Sequence, residues 1–380
     1  MRTVFLSLVL FISFLNYGCT QKSDTHNPPE ENTTHDLPLE KINLPEGFQI
    51  DVFASGIKDA RSLAIGENGI VFVGNRTEDK VYAVVDTDGD YRAEEKYVIV
   101  EGLNMPNGVA LKEGDLYVAE VNRILRFSNI YETYKNTPDY EVIYDQYPTD
   151  RHHGWKYIDF GPDGKLYVPV GAPCNICKSE DPVYASLTRM DPDGSNMEIY
   201  AEGIRNTVGF TWHPETNELW FTDNGRDHMG DNMPPDELNH APEMGMHFGY
   251  PYCHGKDISD PQFGSEKNCE QFTPPAQELG PHVAALGMIF YTGEMFPEKY
   301  RNSILIAEHG SWNRSSKIGY RVMFVELEGN KSTNYTPFAN GWLQGESVWG
   351  RPVDIKQLPD GSVLVSDDYA NAIYRISYEK

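Results

Sequence analysis

Residues 152–168 read HHGWKYIDFGPDGKLYV, a histidine pair followed by a strand, a tight turn and a second strand. Tyr157–Phe160 and Leu166–Val168 carry the aromatic and β-branched residues typical of strands. The turn between them is Gly161-Pro162-Asp163-Gly164, a cluster of residues that favour chain reversal. The stretch therefore predicts a β-hairpin with two histidines placed directly ahead of it.

The same hairpin pattern occurs six times along the chain. The copies begin near Ser62, Gly108, Tyr157, Phe210, Gly287 and Val353. Most copies lie roughly 45 to 60 residues apart, with a longer interval after the fourth, which matches four-stranded propeller blades. The sequence therefore predicts an all-β, six-bladed β-propeller built of four-stranded antiparallel blades. A β-sandwich or a two-domain β protein is the alternative, since short strands with regular turns also describe those folds.

The N-terminus has the layout of an export signal. Met1-Arg2 precedes an apolar run that ends before Gly18-Cys19 and is too short to span a bilayer permanently. We predict a signal peptide over 1–19 that ends at a lipobox-like cysteine, a disordered tether over 20–40 and the propeller over 41–380. The expected location is periplasmic or outer-membrane-anchored in a bacterium, with membrane contact only through the N-terminal lipid. An ordinary signal peptide with an incidental cysteine is the alternative.

Four further cysteines follow the signal. An oxidising compartment would allow Cys174 with Cys177, and Cys253 with Cys269, to form local disulfides, although connectivity cannot be read from sequence. A structural zinc site is the alternative. A c-type haem is disfavoured because Lys178 stands where attachment requires a histidine.

The formal charge of −25 argues against a nucleic-acid partner, which demands a basic face. In so acidic a chain, arginines near strand starts are candidates to hold an anion, because the guanidinium fork suits carboxylates. Arg205, Arg314 and Arg351 occupy such positions. The alternative for each is an ordinary ion pair with a neighbouring aspartate.

Alternating carboxylates also occur in Asp86-Thr87-Asp88-Gly89-Asp90. A calcium-binding EF-hand loop would require glycine where Tyr91 stands and an acid where Tyr97 stands. We therefore predict a hairpin turn, with a peripheral calcium site as the alternative.

Four longer blocks, at residues 152–175, 202–206, 221–239 and 309–314, resemble the sorbosone dehydrogenases. Those enzymes are relatives of the soluble quinoprotein glucose dehydrogenases and of the fungal pyranose dehydrogenases that use pyrroloquinoline quinone (PQQ). The resemblance covers essentially everything after residue 40 and implies the same six-bladed propeller. It also implies PQQ- and calcium-dependent oxidation of a sugar or aldose, in which a histidine removes the hydroxyl proton while hydride passes to the quinone.

The resemblance also assigns roles to individual residues. The base falls on His153 rather than His152. Arg205 and Asn206 match a pair that contacts the quinone oxygens, and Arg351 matches another arginine for the quinone.

Three further assignments come from the same resemblance. Arg314 or Lys317 matches a basic residue that contacts the cofactor, across an apparent insertion. Gly225 and Arg226 match positions whose backbone carbonyls bind calcium. Cys177 stands where the glucose enzymes have a glutamine that helps to bind the quinone, so this loop must work differently.

Two other classes of function stay open from sequence. One is a calcium-dependent propeller hydrolase or lactonase, and the other is a non-catalytic sugar-binding lipoprotein. The arginines favour the dehydrogenase, since a hydrolase has no need of a cationic set for a tricarboxylate. The expected partners are a small-molecule sugar and an electron acceptor that the sequence does not name. His282 and Trp312 are candidates either for sugar contact or for packing.

Overall fold

Six four-stranded antiparallel sheets form a ring in the computed structural model, which describes residues 30–31 and 36–379. The six-bladed β-propeller prediction is confirmed, and the sandwich alternative is ruled out. Each predicted hairpin forms the two innermost strands of one blade. The predicted signal peptide and Cys19 lie outside the described residues.

Blades 1 to 3 follow one another in the first half of the chain. Blade 1 contains β3 (Leu63–Ile65), β4 (Ile70–Val73), β5 (Val81–Val85) and β6 (Glu95–Val100), with β1 (Glu30–Glu31) paired to β6. Blade 2 contains β7 (Gly108–Lys112), β8 (Asp115–Ala119), β9 (Ile124–Phe127) and β10 (Glu141–Tyr144). Blade 3 contains β11 (Asp159–Phe160), β12 (Leu166–Val170), β13 (Ser186–Met190) and β14 (Glu198–Glu202), extended by β18 (Met246–His247) parallel to β14.

Blades 4 to 6 complete the ring. Blade 4 contains β15 (Phe210–Trp212), β16 (Leu219–Asp223), β17 (Pro235–Ala241) and β21 (Gln277–Pro281). Blade 5 contains β22 (Ala285–Phe290), β23 (Ile304–Glu308), β24 (Arg321–Glu328) and β25 (Lys331–Asn340). Blade 6 contains β28 (Pro352–Gln357), β29 (Val363–Asp367), β30 (Ala372–Tyr378) and, from the other end of the chain, β2 (Phe48–Ser55).

Short elements occupy the connections. Two small hairpins are β19 (Cys253–His254) with β20 (Ile258–Ser259), and β26 (Leu343–Gln344) with β27 (Ser347–Val348). The helical segments are α1 (Ile130–Thr133) and the 3-10 turns Leu39–Lys41, Tyr134–Asn136, Cys269–Gln271 and Glu298–Tyr300. Within 30–31 and 36–379, no helix has the length and apolar character needed to cross a membrane.

The ring closes by pairing its two chain ends. Strand β2 runs antiparallel to β30, from Phe48 opposite Tyr378 to Ser55 opposite Ala372. The N-terminal strand thus supplies the outer strand of the last blade. Closure of this kind leaves only short, protected strand edges in a propeller.

The innermost strands approach one another very closely around the axis. A Cβ atom on Gly209 would lie 2.1 Å from the Leu286 carbonyl oxygen, and one on Gly287 would lie 2.6 Å from the Asp354 Cα. Real Cβ atoms do not approach other heavy atoms so closely, so only glycine fits at these two points. Val208, Leu286 and Val353 form an apolar cluster against which Trp155 packs.

The chain folds against the propeller before residue 41, where the tether was predicted to end. Leu37 and Leu39 pack against the hydrophobic core that joins blades 5 and 6. Asn43 then forms a β-bridge with Asn340 at the end of β25. Residues 37 and 39, at the end of the predicted tether, therefore bury apolar surface against the propeller, and the domain boundaries stay a prediction.

The acidic turn connects β5 to β6. The Asp86 carboxylate accepts hydrogen bonds from the backbone N–H groups of Gly89 and Tyr91, so it shapes the turn. Carboxylate oxygens of Asp86, Asp88, Asp90 and Glu94 lie within 4.8 Å of one another. The predicted hairpin turn is confirmed, and the peripheral calcium site stays an untested alternative.

Both local disulfides are present, Cys174–Cys177 and Cys253–Cys269, which confirms the predicted pairing. The second encloses β19 and β20, the segment that holds Asp260 against Arg226 at 2.6 Å.

Replacing Cys253 and Cys269 together by serine is expected to lower the free energy of unfolding by about 3 kcal/mol, because their bridge spans a sequence separation of 16. Guanidinium unfolding of the oxidised proteins measures this loss. The pair Cys174→Ser and Cys177→Ser is the comparison, with about 2 kcal/mol expected from its shorter loop. An unchanged unfolding midpoint in the first variant would contradict the stabilising role.

Candidate active site

A cavity of about 400 Å³ lies where the chain enters the innermost strands. Residues just ahead of these strands line it, including Arg61 before β3, Trp155 before β11, Asn206 before β15, Ala284 before β22 and Arg351 before β28. Five of the six blades therefore bring distant parts of the sequence together at one end of the ring.

His153 lines this cavity and is buried. Its backbone has φ 52°, in the left-handed region that few residues other than glycine enter. Its Nδ1 lies 2.9 Å from the Ala172 carbonyl oxygen, which can only accept, so Nδ1 donates its hydrogen there. Burial, followed by the nearby charges of Arg205 and His152, holds the pKa of His153 well below 6.5. The imidazole is therefore neutral at pH 7, and its Nε2 can accept a proton.

Local packing fixes the position of His153. A Cβ atom on Gly171 would lie 2.5 Å from the His153 Cβ, so the chain after β12 must carry glycine there. His152 is exposed and does not line the cavity, although its ring centre is 4.0 Å from that of His153. The structure thus places His153, and not His152, at the cavity wall.

Arg205 is held rigidly in the cavity wall. Its guanidinium donates to the Asn175 carbonyl at 2.9 Å, to the Asn175 Oδ1 at 2.9 Å and to the Asn224 carbonyl at 3.1 Å. Asp227 completes the set with an ion pair of 3.2 Å. Asn175 lies inside the Cys174–Cys177 disulfide loop, so that loop acts on the cavity through Arg205.

The backbone beside Arg205 is anchored by a buried carboxylate. The N–H groups of Arg205 and Asn206 donate to Asp223 at 2.8 and 2.6 Å. Burial raises the pKa of Asp223 to about 6. The Asn206 side chain makes no hydrogen bond within residues 36–379 and lines the cavity, where it is available to a ligand.

Three basic groups meet at a second carboxylate, Asp368. Arg61 pairs with it at 2.8 Å, Arg351 at 3.0 Å and His309 at 2.9 Å. Burial alone would raise the pKa of Asp368, but His309, Arg61 and Arg351 hold it well below its usual value. Arg61 also donates to the Asn107 Oδ1 at 2.7 Å. Asn107 directly precedes blade 2, so this bond ties the Arg61 side chain to the neighbouring blade.

Arg76 is the fourth arginine in the cavity wall. Its guanidinium lies 3.8 Å above the Trp155 ring. Burial, together with repulsion by Arg61, lowers the pKa of Arg76 to about 10, so it stays charged at pH 7.

Sequence reasoning missed Arg61, Arg76 and Asp368. Arg61 directly precedes the first hairpin, so the strand-start rule that selected Arg351 would have found it. Arg76 follows the second strand of its hairpin, and nothing in its local sequence marks it. Asp368 lies in another blade, and its role emerges only from the three basic groups that reach it.

The predicted calcium residues lie beside the arginines. Gly225 lines the cavity, and its N–H donates to Asp236 at 2.8 Å. A Cβ atom on Gly225 would lie 2.8 Å from the Pro235 carbonyl oxygen, so glycine is required. Among the described residues, no hydrogen bond ends on the carbonyl oxygens of Gly225 or Arg226, so both keep lone pairs for a hard cation. The Arg226 side chain itself pairs with Asp260.

The structure does not bring Arg314 and Lys317 into the cavity lining. Arg314 donates to the backbone carbonyls of Ser316 and Asp231, and Lys317 to that of Glu346. Trp312 and His282 do line it. The Trp312 side chain is 74% exposed at the rim, whereas His282 is buried and contacts the Gly230 carbonyl oxygen through Nε2 at 2.8 Å.

Comparison with known proteins extends over almost the whole chain. A family model described as a domain of unknown function, DUF7133, matches residues 34–376. An uncharacterized protein of Borreliella burgdorferi is 36% identical over 355 residues, which are 89% of this chain and 91% of that protein.

Solved structures show the same fold. A Trichoderma reesei protein of Carbohydrate-Active Enzymes Family AA12 has a TM-score of 0.78 at 17% identity, over 91% of this chain and 100% of that one. The PQQ domain of pyranose dehydrogenase from Coprinopsis cinerea has a TM-score of 0.74 at 16% identity, over 88% and 97%. At these identities the likeness concerns the fold, and the narrower sorbosone dehydrogenase assignment stays a prediction.

Proposed function

The chain belongs to the DUF7133 family, and we propose that it is a sugar dehydrogenase that uses PQQ and calcium. The observation that carries the proposal is a neutral histidine beside four arginines, in one cavity of a chain with net charge −25. The likeness to the PQQ domain of a pyranose dehydrogenase supports it.

The lining suits a flat, polyanionic cofactor. Four guanidinium groups face the cavity, against the two carboxylates of Asp227 and Asp236. Burial raises the pKa of Asp236 to about 7, so this carboxyl group adds less negative charge to the cavity at neutral pH. Arginine forks bind carboxylates in two-point contacts, and PQQ carries three carboxylates. Trp155 and Leu286 add an apolar surface for an aromatic ring.

Each side chain then has a defined task. Arg205, Asn206 and Arg351 hold the cofactor oxygens, and the carbonyls of Gly225 and Arg226 bind calcium. When bound, PQQ supplies the two-electron acceptor for hydride from the sugar carbon. His153 takes the hydroxyl proton at Nε2, while its Nδ1–H bond to Ala172 keeps the ring in place.

The substrate in this proposal is a pyranose or another aldose. The exposed Trp312 ring at the rim offers a face on which a sugar ring can stack. We also propose that the protein works after export, anchored through Cys19, and passes electrons to an external acceptor. Arg314 and Lys317 are not part of the proposed cofactor site, because neither lines the cavity and their side chains donate to backbone carbonyls outside it.

The test is reconstitution of the purified, cofactor-free protein. Reduction of an electron-accepting dye with a panel of aldoses is expected only when PQQ and calcium are both added. Calcium-dependent hydrolysis of a lactone without any acceptor would favour the hydrolase instead. Absence of dye reduction and of any spectral change on adding PQQ would refute the dehydrogenase.

The lowered pKa of His153 gives an expected pH dependence. The base is active only when neutral. Because the pKa of His153 is lowered, the midpoint of the acid limb of kcat/KM should lie at a pH below 6.5, the ordinary pKa of histidine. Initial rates of the PQQ-loaded protein between pH 4 and 8 measure it. A limb centred at or above 6.5 would mean that another group, or an unshifted histidine, is the base.

A further inference from the structure

Arg76 differs from the other cavity arginines because its guanidinium has no polar partner among residues 36–379. Its backbone N–H donates to Asp59, but no side-chain hydrogen bond or ion pair of Arg76 exists in that range. Its Nε is buried and lacks an acceptor. The side chain lines the cavity and lies half-buried on the Trp155 ring.

The neighbouring arginines each have polar partners within the protein. Arg205 is bonded to Asn175, Asn224 and Asp227, and Arg61 and Arg351 share Asp368. Most of the Arg205 donors and part of those of Arg351 are used in this way, and the remaining N–H groups are left for the cofactor. Arg76 carries a positive charge into the same cavity, and its guanidinium N–H groups have no acceptor among residues 36–379.

An unpaired, partly desolvated guanidinium is unfavourable, since burial removes water without supplying an acceptor. The Trp155 face attracts the cation and fixes the plane of the fork, but it accepts no N–H. A planar carboxylate placed beside the ring would supply two acceptors at once. The lowered pKa of Arg76 has the same origin, because burial is its largest cause.

We propose that Arg76 binds a carboxylate of the ligand that enters this cavity. The ring centre of Trp155 lies 6.1 Å from that of His153, so the carboxylate site adjoins the base. Two sources share this chemistry: a carboxylate of PQQ, which rests on the proposed function, and the carboxylate of a sugar acid used as substrate. If Arg76 binds the carboxylate of the substrate, the protein prefers a uronate, such as glucuronate, to the corresponding neutral sugar, such as glucose.

The test compares Arg76→Gln and Arg76→Lys with Arg92→Gln. Arg92 is a suitable control because its side chain is 65% exposed and makes only a 3.4 Å surface pair with Asp51. Calorimetry measures the affinity for PQQ with calcium, and steady-state kinetics measures KM for glucose and glucuronate. Thermal unfolding checks that each variant is folded.

Arg76→Gln is expected to weaken one of these ligands by at least about tenfold, with Arg76→Lys intermediate and Arg92→Gln within about twofold. Weaker PQQ binding with an unchanged sugar preference identifies the cofactor carboxylate. Unchanged PQQ binding, with a raised KM for glucuronate alone, identifies the substrate carboxylate.

Failure of the inference is separable from failure of the proposed function. If Arg76→Gln binds PQQ and both sugars within about twofold of wild type, the carboxylate role is wrong while the dehydrogenase stands. If the wild-type protein binds no PQQ, the proposed dehydrogenase function is wrong. Calorimetry with glucuronate and citrate then tests whether Arg76 binds a carboxylate. Binding of these carboxylates by the wild-type protein that is lost in Arg76→Gln supports the carboxylate-binding role. Absence of such binding by the wild-type protein overturns it.

Discussion

His153→Ala is expected to lower kcat of the PQQ- and calcium-loaded protein by about 10²- to 10⁴-fold, the usual contribution of a positioned general base. The imidazole is buried at the cavity wall, and its Nδ1 is committed to Ala172. Only Nε2 is left to take a proton. Among the described histidines, His282 is also buried with a left-handed backbone at this cavity, but its Nε2 is committed to the Gly230 carbonyl. PQQ affinity should stay within about threefold, because the lost contact is made mainly in the transition state.

His152→Ala is the matched control, since it removes the adjacent imidazole from an exposed position outside the cavity lining. We expect a loss in kcat below about tenfold from this variant, as a positioning effect on the neighbouring ring at 4.0 Å. Steady-state dye reduction measures both proteins. Equal losses in the two variants would leave His153 without a distinct role as the base.

Asp368→Asn is expected to lower the free energy of unfolding by about 3 to 5 kcal/mol, as for other buried ion pairs that lose one partner. Its side chain is 3% exposed, neutralises Arg61 and Arg351 and accepts a hydrogen bond from His309, so the substitution leaves two guanidinium groups without this counterion. Added PQQ should restore part of the loss, because a polyanion that binds only the folded state stabilises it. Urea unfolding with and without PQQ measures both effects.

The same carboxylate sets an expected acid sensitivity. Because its folded pKa is lowered, its stabilisation is present above the ordinary carboxyl pKa and is lost as pH falls towards the lowered value. Asp51→Asn is the control, since Asp51 forms an exposed pair with Arg92 at 3.4 Å and its removal should cost less than about 1 kcal/mol. Equal stability of the two variants would contradict the organising role of Asp368.

The hairpins could be predicted from sequence because strand period and turn chemistry are local. Gly161-Pro162-Asp163-Gly164 forms the reversal between β11 and β12, and its five sister copies give the blade count. Closure by β2 could not be predicted in this way, since Phe48 and Tyr378 are paired across almost the whole length of the propeller domain. Leu37 and Leu39 were assigned to a tether because two isolated leucines in a polar segment carry no periodic signal.

The residues of the candidate site also differ in how far local sequence could predict them. His153, Arg205, Asn206, Arg351 and Gly225 stand in distinctive blocks, and the fold brings all five to one cavity. Arg314 and Lys317 stand near such a block, but their side chains bind backbone carbonyls outside the lining. Position in a motif therefore does not fix the direction of a long, flexible side chain.

Arg76 and Asp368 have no sequence signal because their roles depend on contacts between different blades. Asp368 is defined by three partners from different parts of the chain, and Arg76 by the lack of any. Such residues require coordinates, since pairing and desolvation are properties of three-dimensional neighbours.

The most direct test of quinone-dependent sugar oxidation is the absorption spectrum of the bound quinone after anaerobic mixing of the loaded protein with an aldose. We predict that one equivalent of quinone is reduced by the wild-type protein, and that His153→Ala shows the same bound spectrum but far slower reduction. A quinone spectrum unchanged by saturating aldoses and uronates, or product formation that needs calcium but no PQQ, would contradict this function.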